Sequence, residues 1–243
     1  MEIFIADNYE EMSKRAAMAV KELIQSKKNP LLCTASGDTP AGLYKELINL
    51  INENHLDVST WDFVGLDEWV GLNGSDEGSC RFYLDKQLFG PLQIAKDKIS
   101  FFDGRANDLR KECDDVENFI SEHDGIDVAI LGLGMNGHVG MNEPGTSPSL
   151  HSHVTNLDPQ TQKVGQKYFK EQQQLTQGIT LGLATLMDAR HIILLISGRH
   201  KAETVKRILE EEISEQLPAS LLRNHQDLKI YLDNDAALLI HSI

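Results

Sequence analysis

Hydrophobic positions along the 243-residue chain follow two alternating rhythms: short unbroken apolar runs, and longer stretches with one apolar face. Residues 30–35 (PLLCTA), 62–66 (DFVGL), 127–133 (DVAILGL), 191–196 (HIILLI) and 228–232 (LKIYL) are runs of the first kind and predict strands. A further strand begins almost at Met1. Between them, apolar residues return every three to four positions, as on a helix with a buried face. Met12, Ala16, Val20, Leu23 and Ile24 mark the first helix, with Asp7 and Glu10 as its expected capping arrangement. Ala41, Leu43, Tyr44 and Leu47 mark the second, with Thr39 as a hydroxyl cap and Pro40 at the first helical position. Further helices are predicted over 81–88, 107–120, 161–169, 179–187 and 201–209, with Gly182 weakening the fourth of these.

Continuous apolar strands, each followed by a helix, predict an α/β fold: a single-domain, mainly parallel, Rossmann-like doubly wound sheet with helices on both faces. No linker, internal repeat or low-complexity segment interrupts the alternation, so residues 1–243 are read as one domain. Such sheets bind ligands at the carboxyl ends of their strands. The loops SGDTP (36–40), LDEWVGL (66–72), GMNGHVGMNEPG (134–145) and SGRHK (197–201) are therefore expected to converge.

Composition removes several classes of function. An apolar fraction of 41% with 25% charged residues is ordinary for a soluble globular chain. No apolar run approaches the roughly 18 residues of a membrane span. The N-terminus is acidic where a secretory signal would be basic and then apolar. Cys33, Cys80 and Cys113 are odd in number, widely spaced and without a C-x-x-C, so neither a disulfide framework nor a zinc knuckle is indicated. Reduced thiols in a cytoplasm are expected. A formal net charge of -14 argues against nucleic acid or an anionic membrane as partner. A small anionic substrate stays open where local donors outweigh that field.

The candidate chemistry centres on LGLGMNGHVGMNEPG (131–145). Gly132, Gly134 and Gly137 spell G-x-G-x-x-G after an apolar run, as in a dinucleotide loop. Such a loop opens into a long helix, yet Pro144 and Gly145 follow within two turns, and Asn156-Leu157-Asp158 precedes a helix and no acid-terminated strand. A catalytic loop presenting one imidazole, His138, and one carboxylate, Glu143, fits better. Asp67 and Glu68 end the strand DFVGL, where extended backbone turns only one of them toward a pocket. Ser36, Gly37 and Thr39 at one helix start, and Ser197, Gly198 and Lys201 at another, are ready to hold an anion. Each loop alone could be ordinary capping. Together they point to a phosphorylated small molecule.

With those loops in place, the chain resembles the glucosamine-6-phosphate deaminase / galactosamine-6-phosphate isomerase family over nearly its whole length. The resemblance rests on SGDTPAGLYKEL, FVGLDEWVGL, LGLGMNGHVGMNEPGTS, GITLGLATLMDARHIILLISGRHKAETV and LPASLLRNH in that order. It implies Asp67 as the base, His138 as the ring-opening histidine and Glu143 as its partner, with no metal or organic cofactor. It implies Ser36, Gly37, Thr39 and Lys201 around the phosphate of an amino sugar. Three positions depart from the family pattern. Asn136 stands where many relatives carry aspartate, Lys167 where a phosphate-binding arginine is usual, and Asp38 beside the phosphate where a small residue is usual. Asp38 is expected to turn outward and cap its helix. His153 and Thr155 replace the arginine and lysine of allosterically activated relatives, so no activation by an acetylated amino-sugar phosphate is expected.

Two rivals are weighed against this. A 6-phosphogluconolactonase shares the fold but is expected to carry DER for DEW and no NEP; Trp69 and Asn142-Glu143-Pro144 favour the deaminase side. A sugar-phosphate sensor could lack Asp67, His138 and Glu143, which are all present. Gly78-Ser79-Cys80 looks more like the galactosamine branch. The sequence leaves open which C4 epimer is used and whether the chain is a monomer or a homo-oligomer.

Overall fold

The computed structural model describes residues 1–54 and 56–240. Seven strands form one parallel sheet: β1 (Glu2–Ala6), β2 (Leu31–Thr34), β3 (Asp62–Gly65), β5 (Ile99–Ser100), β6 (Val128–Gly132), β9 (His191–Ile196) and β10 (Leu228–Asp233), in the order β1-β10-β9-β6-β2-β3-β5. Strand order reverses between β2 and β6. From β2 the chain builds outward through β3 and β5; from β6 it builds the other way through β9 and β10. Thr34 pairs with both Gly65 and Ile130, so the carboxyl ends of β2, β3 and β6 lie level. The crevice above them is where an open α/β sheet accepts a ligand.

Alternation along each strand splits the core into two layers. Leu32, Val128, Ile130, Ile193 and Leu195 face one side and pack with Met12, Ala16 and Val20 of α1 (Tyr9–Ile24) and Leu43, Tyr44 and Leu47 of α2 (Asp38–Asn54). Leu31, Cys33, Ala129, Leu131, Ile192 and Leu194 face the other, against Val116 and Ile120 of α4 (Leu109–Glu122) and Val205 and Ile208 of α7 (Ala202–Glu210). Burial on both faces is why these strands read as unbroken apolar runs. The doubly wound α/β sheet expected from the sequence is therefore the one observed.

Local boundaries differ in instructive ways. Asn8 caps α1, accepting from the Glu11 N–H at 2.9 Å, in place of the expected Asp7 and Glu10 pair. α2 starts at Asp38, so Thr39 sits inside the first turn and does not cap it. The larger miss is a second, antiparallel sheet of three strands, β4 (Asp67–Trp69), β8 (Gln177–Thr180) and β7 (His153–Asn156), in the order β4-β8-β7. Ile179 and Thr180, expected to open a helix, belong to β8, and α6 (Leu183–Met187) begins only after Gly182. A Cβ at Gly182 would fall 2.0 Å from the Leu150 carbonyl oxygen, so the close approach of that loop fixes where the strand ends. Four residues in a strand are too few for their period to stand out from an adjoining apolar helix. Short helices α3 (Cys80–Leu84), α5 (Pro159–Gly165) and α8 (Pro218–Leu221) complete the elements.

β4 is the bridge between the two sheets. The chain leaves β3, and the Leu66 N–H still donates to the Thr34 carbonyl at 3.1 Å. One residue later Asp67 pairs with Thr180 in the small sheet. Glu68, fully buried, accepts the backbone N–H groups of Trp69 and Cys80 at 2.9 Å and of Arg81 at 3.0 Å. Its carboxylate thus seats the N-terminus of α3. Glu68→Gln keeps the volume but turns an N–H₂ toward these donors. We expect a loss of about 2 kcal/mol of stability, read as a lowered unfolding midpoint in denaturant. An unchanged midpoint would mean that the three bonds add nothing net.

Candidate active site

A cleft of about 990 Å³ opens above the β2/β6 reversal. All four predicted loops reach it: Ser36 to Thr39 from the end of β2, Asp67 and Trp69 from β4, Gly134 and His138 from the loop after β6, and Ser197 and Lys201 from the loop after β9. α5 and the turn behind it supply the remaining wall, with Thr161, Lys163, Lys167 and Tyr168.

Extended backbone sends Asp67 and Glu68 to opposite sides, as the sequence predicts. Glu68 goes inward to α3, and Asp67 faces the cleft. Burial pushes the Asp67 carboxyl up to about 6, against the pull of the Cys80 thiol and of His138. A carboxylate in this range is still ionised at neutral pH yet is a far better proton acceptor than a solvated aspartate.

His138 is held from behind. Its Nδ1 lies 3.3 Å from Glu143 Oε2 and 3.1 Å from the Thr161 hydroxyl. The Asn136 amide donates to the same Glu143 oxygen at 2.8 Å, while its Oδ1 accepts the His138 backbone N–H at 3.1 Å. Glu143 Oε1 accepts the Asp158 N–H at 3.2 Å. Burial would raise the Glu143 carboxyl, but its bond to His138 and the histidine's charge outweigh this, with Thr161 and Asn136 adding to them, and hold it below the usual range. Glu143 and Asn136 therefore stand behind the imidazole and do not line the cleft. The ring also explains a glycine: a Cβ at Gly134 would sit 2.2 Å from His138 Cδ2, so only glycine leaves room for it. Asn142 is fully buried and ties the loop to the small sheet, donating to the Val139 and Leu181 carbonyls, both at 2.9 Å.

Cations gather at the other end. Lys201 donates to the Leu133 carbonyl at 2.6 Å, and burial, helped by the charge of Lys167, brings its ammonium down to about 8. Lys167 lies beside it on the cleft wall. Its Nζ pairs with Asp38 at 2.6 Å. Asp38 thus does not turn outward to cap α2 as expected; it faces the lysine. Ser36, Gly37 and Thr39 line the same end. These groups give a locally positive subsite in a chain of formal net charge -14.

Sequence reasoning did not single out Thr161, Cys80 or Tyr168 as site residues. Thr161 was expected only as a helix start, and nothing in α5 signals that its hydroxyl meets His138. Tyr168 comes over Gly37, where a Cβ would lie 3.1 Å from its hydroxyl. Both contacts join segments more than a hundred residues apart or across a loop, beyond any local spacing rule.

Comparison with known proteins agrees with this geometry. A family profile described as glucosamine-6-phosphate isomerases/6-phosphogluconolactonase matches residues 6–231. The glucosamine-6-phosphate deaminase of Shouchella clausii (strain KSM-K16) is 40% identical over 98% of this chain and 96% of its own length. A solved structure of a monomeric glucosamine-6-phosphate deaminase, 36% identical, superposes with a TM-score of 0.95 over 99% of this chain and 100% of the other. The 6-phosphogluconolactonase from Trypanosoma cruzi shares the fold, with a TM-score of 0.79 at 22% identity, covering 99% of this chain and 97% of the other. The chain therefore belongs to the glucosamine-6-phosphate isomerase/6-phosphogluconolactonase family.

Proposed function

We propose that the protein is a deaminating aldose–ketose isomerase acting on a hexosamine 6-phosphate. The observation that carries this is one cleft holding a raised carboxylate, Asp67, a backed imidazole, His138, and a cationic end at Lys201 and Lys167.

The sugar phosphate is pinned by Lys201, Lys167 and the Ser36–Thr39 loop. His138, steered by Glu143 and Thr161, moves the anomeric hydroxyl proton to the ring oxygen, and the ring opens to the aldehyde. Asp67 then removes the proton from C2. The electron pair flows toward the carbonyl, giving an enolamine, and a proton is delivered to C1. The resulting ketimine adds water and expels ammonia, leaving the ketose 6-phosphate. Asp67 serves as the carbon base because it is ionised yet poorly solvated. Lactone hydrolysis, the rival within the family, needs a water activated at an ester carbonyl and makes no use of an imidazole backed by the NEP carboxylate.

The named deaminases of similar sequence favour glucosamine 6-phosphate. One observation favours the galactosamine epimer as a second reading: Cys80, from the Gly78-Ser79-Cys80 segment, lines the cleft. The epimers differ in one hydroxyl, and a site built to bond it can discriminate strongly.

Three outcomes follow. Purified protein should release ammonia from one of the two hexosamine 6-phosphates, with fructose or tagatose 6-phosphate identifying the epimer. Asp67→Asn should cut kcat by at least about a thousand-fold while still binding substrate. Binding without turnover by the unaltered chain would instead indicate a sensor. The pH profile of kcat/KM should be a bell. Asp67 must be ionised, so activity is lost as pH falls through about 6. Lys201 must be charged, so activity is lost again as pH rises through about 8. Finally, Asp38→Asn frees Lys167 for the phosphate. Since the pair is largely solvent-exposed, we expect a fall in KM of about three-fold with kcat little changed. A raised KM would show that Asp38 positions the lysine.

A further inference from the structure

One buried nucleophilic group in the cleft has no part in the mechanism above. Cys80 is 5% exposed, and its side chain lies between two groups the mechanism uses. On one side is the Asp67 carboxylate; on the other is the Ser36 hydroxyl from the loop after β2.

We propose that Cys80 is a positioning residue for Asp67, its thiol donating to the carboxylate and accepting from Ser36, so that the base is tied to the anion-binding loop. The inference rests on Asp67 being the base.

Its backbone is fixed independently of the thiol. Cys80 opens α3, where its N–H donates to Glu68 Oε1 at 2.9 Å. Ser79 caps the same helix, accepting from the Phe82 N–H at 3.0 Å. The side chain packs with Trp69, Met141, Leu157 and Leu175. Glu68 and Asp67 are neighbours in β4, so the bond that seats α3 also sets the thiol against the next carboxylate along the chain. This geometry defines a path from the phosphate end to the reacting end: Ser36, Cys80, Asp67.

The thiol suits the task because it stays protonated. Burial raises it well above its ordinary range, and the nearby Asp67 and Glu68 charges push it the same way. It is therefore a donor throughout the working range, a weak one that steadies a carboxylate without quenching its basicity. Other groups face Asp67 too. His138 comes from the loop after β6, Cys33 from β2, Tyr44 from α2, and Glu68 is its neighbour on β4. Cys33 and Tyr44 are kept neutral by burial. Cys80 and His138 are the two that favour the charged form of Asp67.

The test uses Cys80→Ala, Cys80→Ser and Ser36→Ala in the full chain. Two quantities are read: the acidic limb of the pH–kcat profile, and the titration of the Asp67 carboxyl by ¹³C NMR, assigned with Asp67→Asn. In Cys80→Ala both should move upward by about half a pH unit, with kcat at pH 6 down about three-fold. Cys80→Ser, which keeps a donor, should return both toward the unaltered protein. Ser36→Ala, which removes only the far end of the path, should move the carboxyl titration the same way by less. It supplies the test should Cys80→Ala not fold. An Asp67 signal that titrates unchanged in Cys80→Ala or Ser36→Ala, or a serine variant matching the alanine one, would overturn the proposal. Because the NMR titration needs no turnover, absent ammonia release would count against the proposed function and leave this inference to stand or fall by itself.

Discussion

The site depends on a constraint two residues long. Extended backbone cannot turn Asp67 and Glu68 to the same side. Glu68 is drawn inward by three N–H groups, two of them at the start of α3. A buried carboxylate is tolerated only when its oxygens are satisfied, and that requirement locks both the register of β4 and the seat of α3. Burial pushes Glu68 up to about 7 even against those bonds, a measure of how far the strand is withdrawn from water. Asp67 is then presented to the cleft as a consequence.

The small antiparallel sheet carries this constraint to the imidazole. Thr180 faces Asp67 in β8, and its hydroxyl accepts the Met141 N–H at 3.2 Å. Asn142 fastens the same loop to Leu181. The carboxylate on β4 and the loop that backs His138 are thus sewn to one strand. Proton transfer between neighbouring atoms of a substrate requires such shared anchorage, since small misplacements cost large factors in rate. The seven-stranded sheet supplies the crevice, and the three-stranded sheet sets the groups across it.

Charge is handled locally. An overall negative field would repel a phosphate, so Lys201, Lys167 and a helix start are concentrated at one end of the cleft. Asp38 tempers that end by pairing with Lys167. The two residues that depart from the family pattern near the phosphate are each other's partners. An aspartate that would repel the ligand and a lysine in place of an arginine form one exposed pair.

Much was legible from the chain alone. Doubly covered strands are apolar throughout, so β2, β3, β6, β9 and β10 could be read directly, and the loops after them follow from the topology of parallel sheets. Asp67, His138, Ser36, Gly37, Thr39, Lys167 and Lys201 all fall in the predicted cleft. Local sequence could not disclose β4, β7 and β8, because strands of three or four residues in an antiparallel sheet are defined by their partners. Nor could it place Thr161 on His138, Asp38 on Lys167, or Cys80 beside Asp67. Periodicity reports which face of an element is buried. Which distant side chain shares that burial is settled only when the elements pack, and every proton-tuning contact in this site is of that second kind.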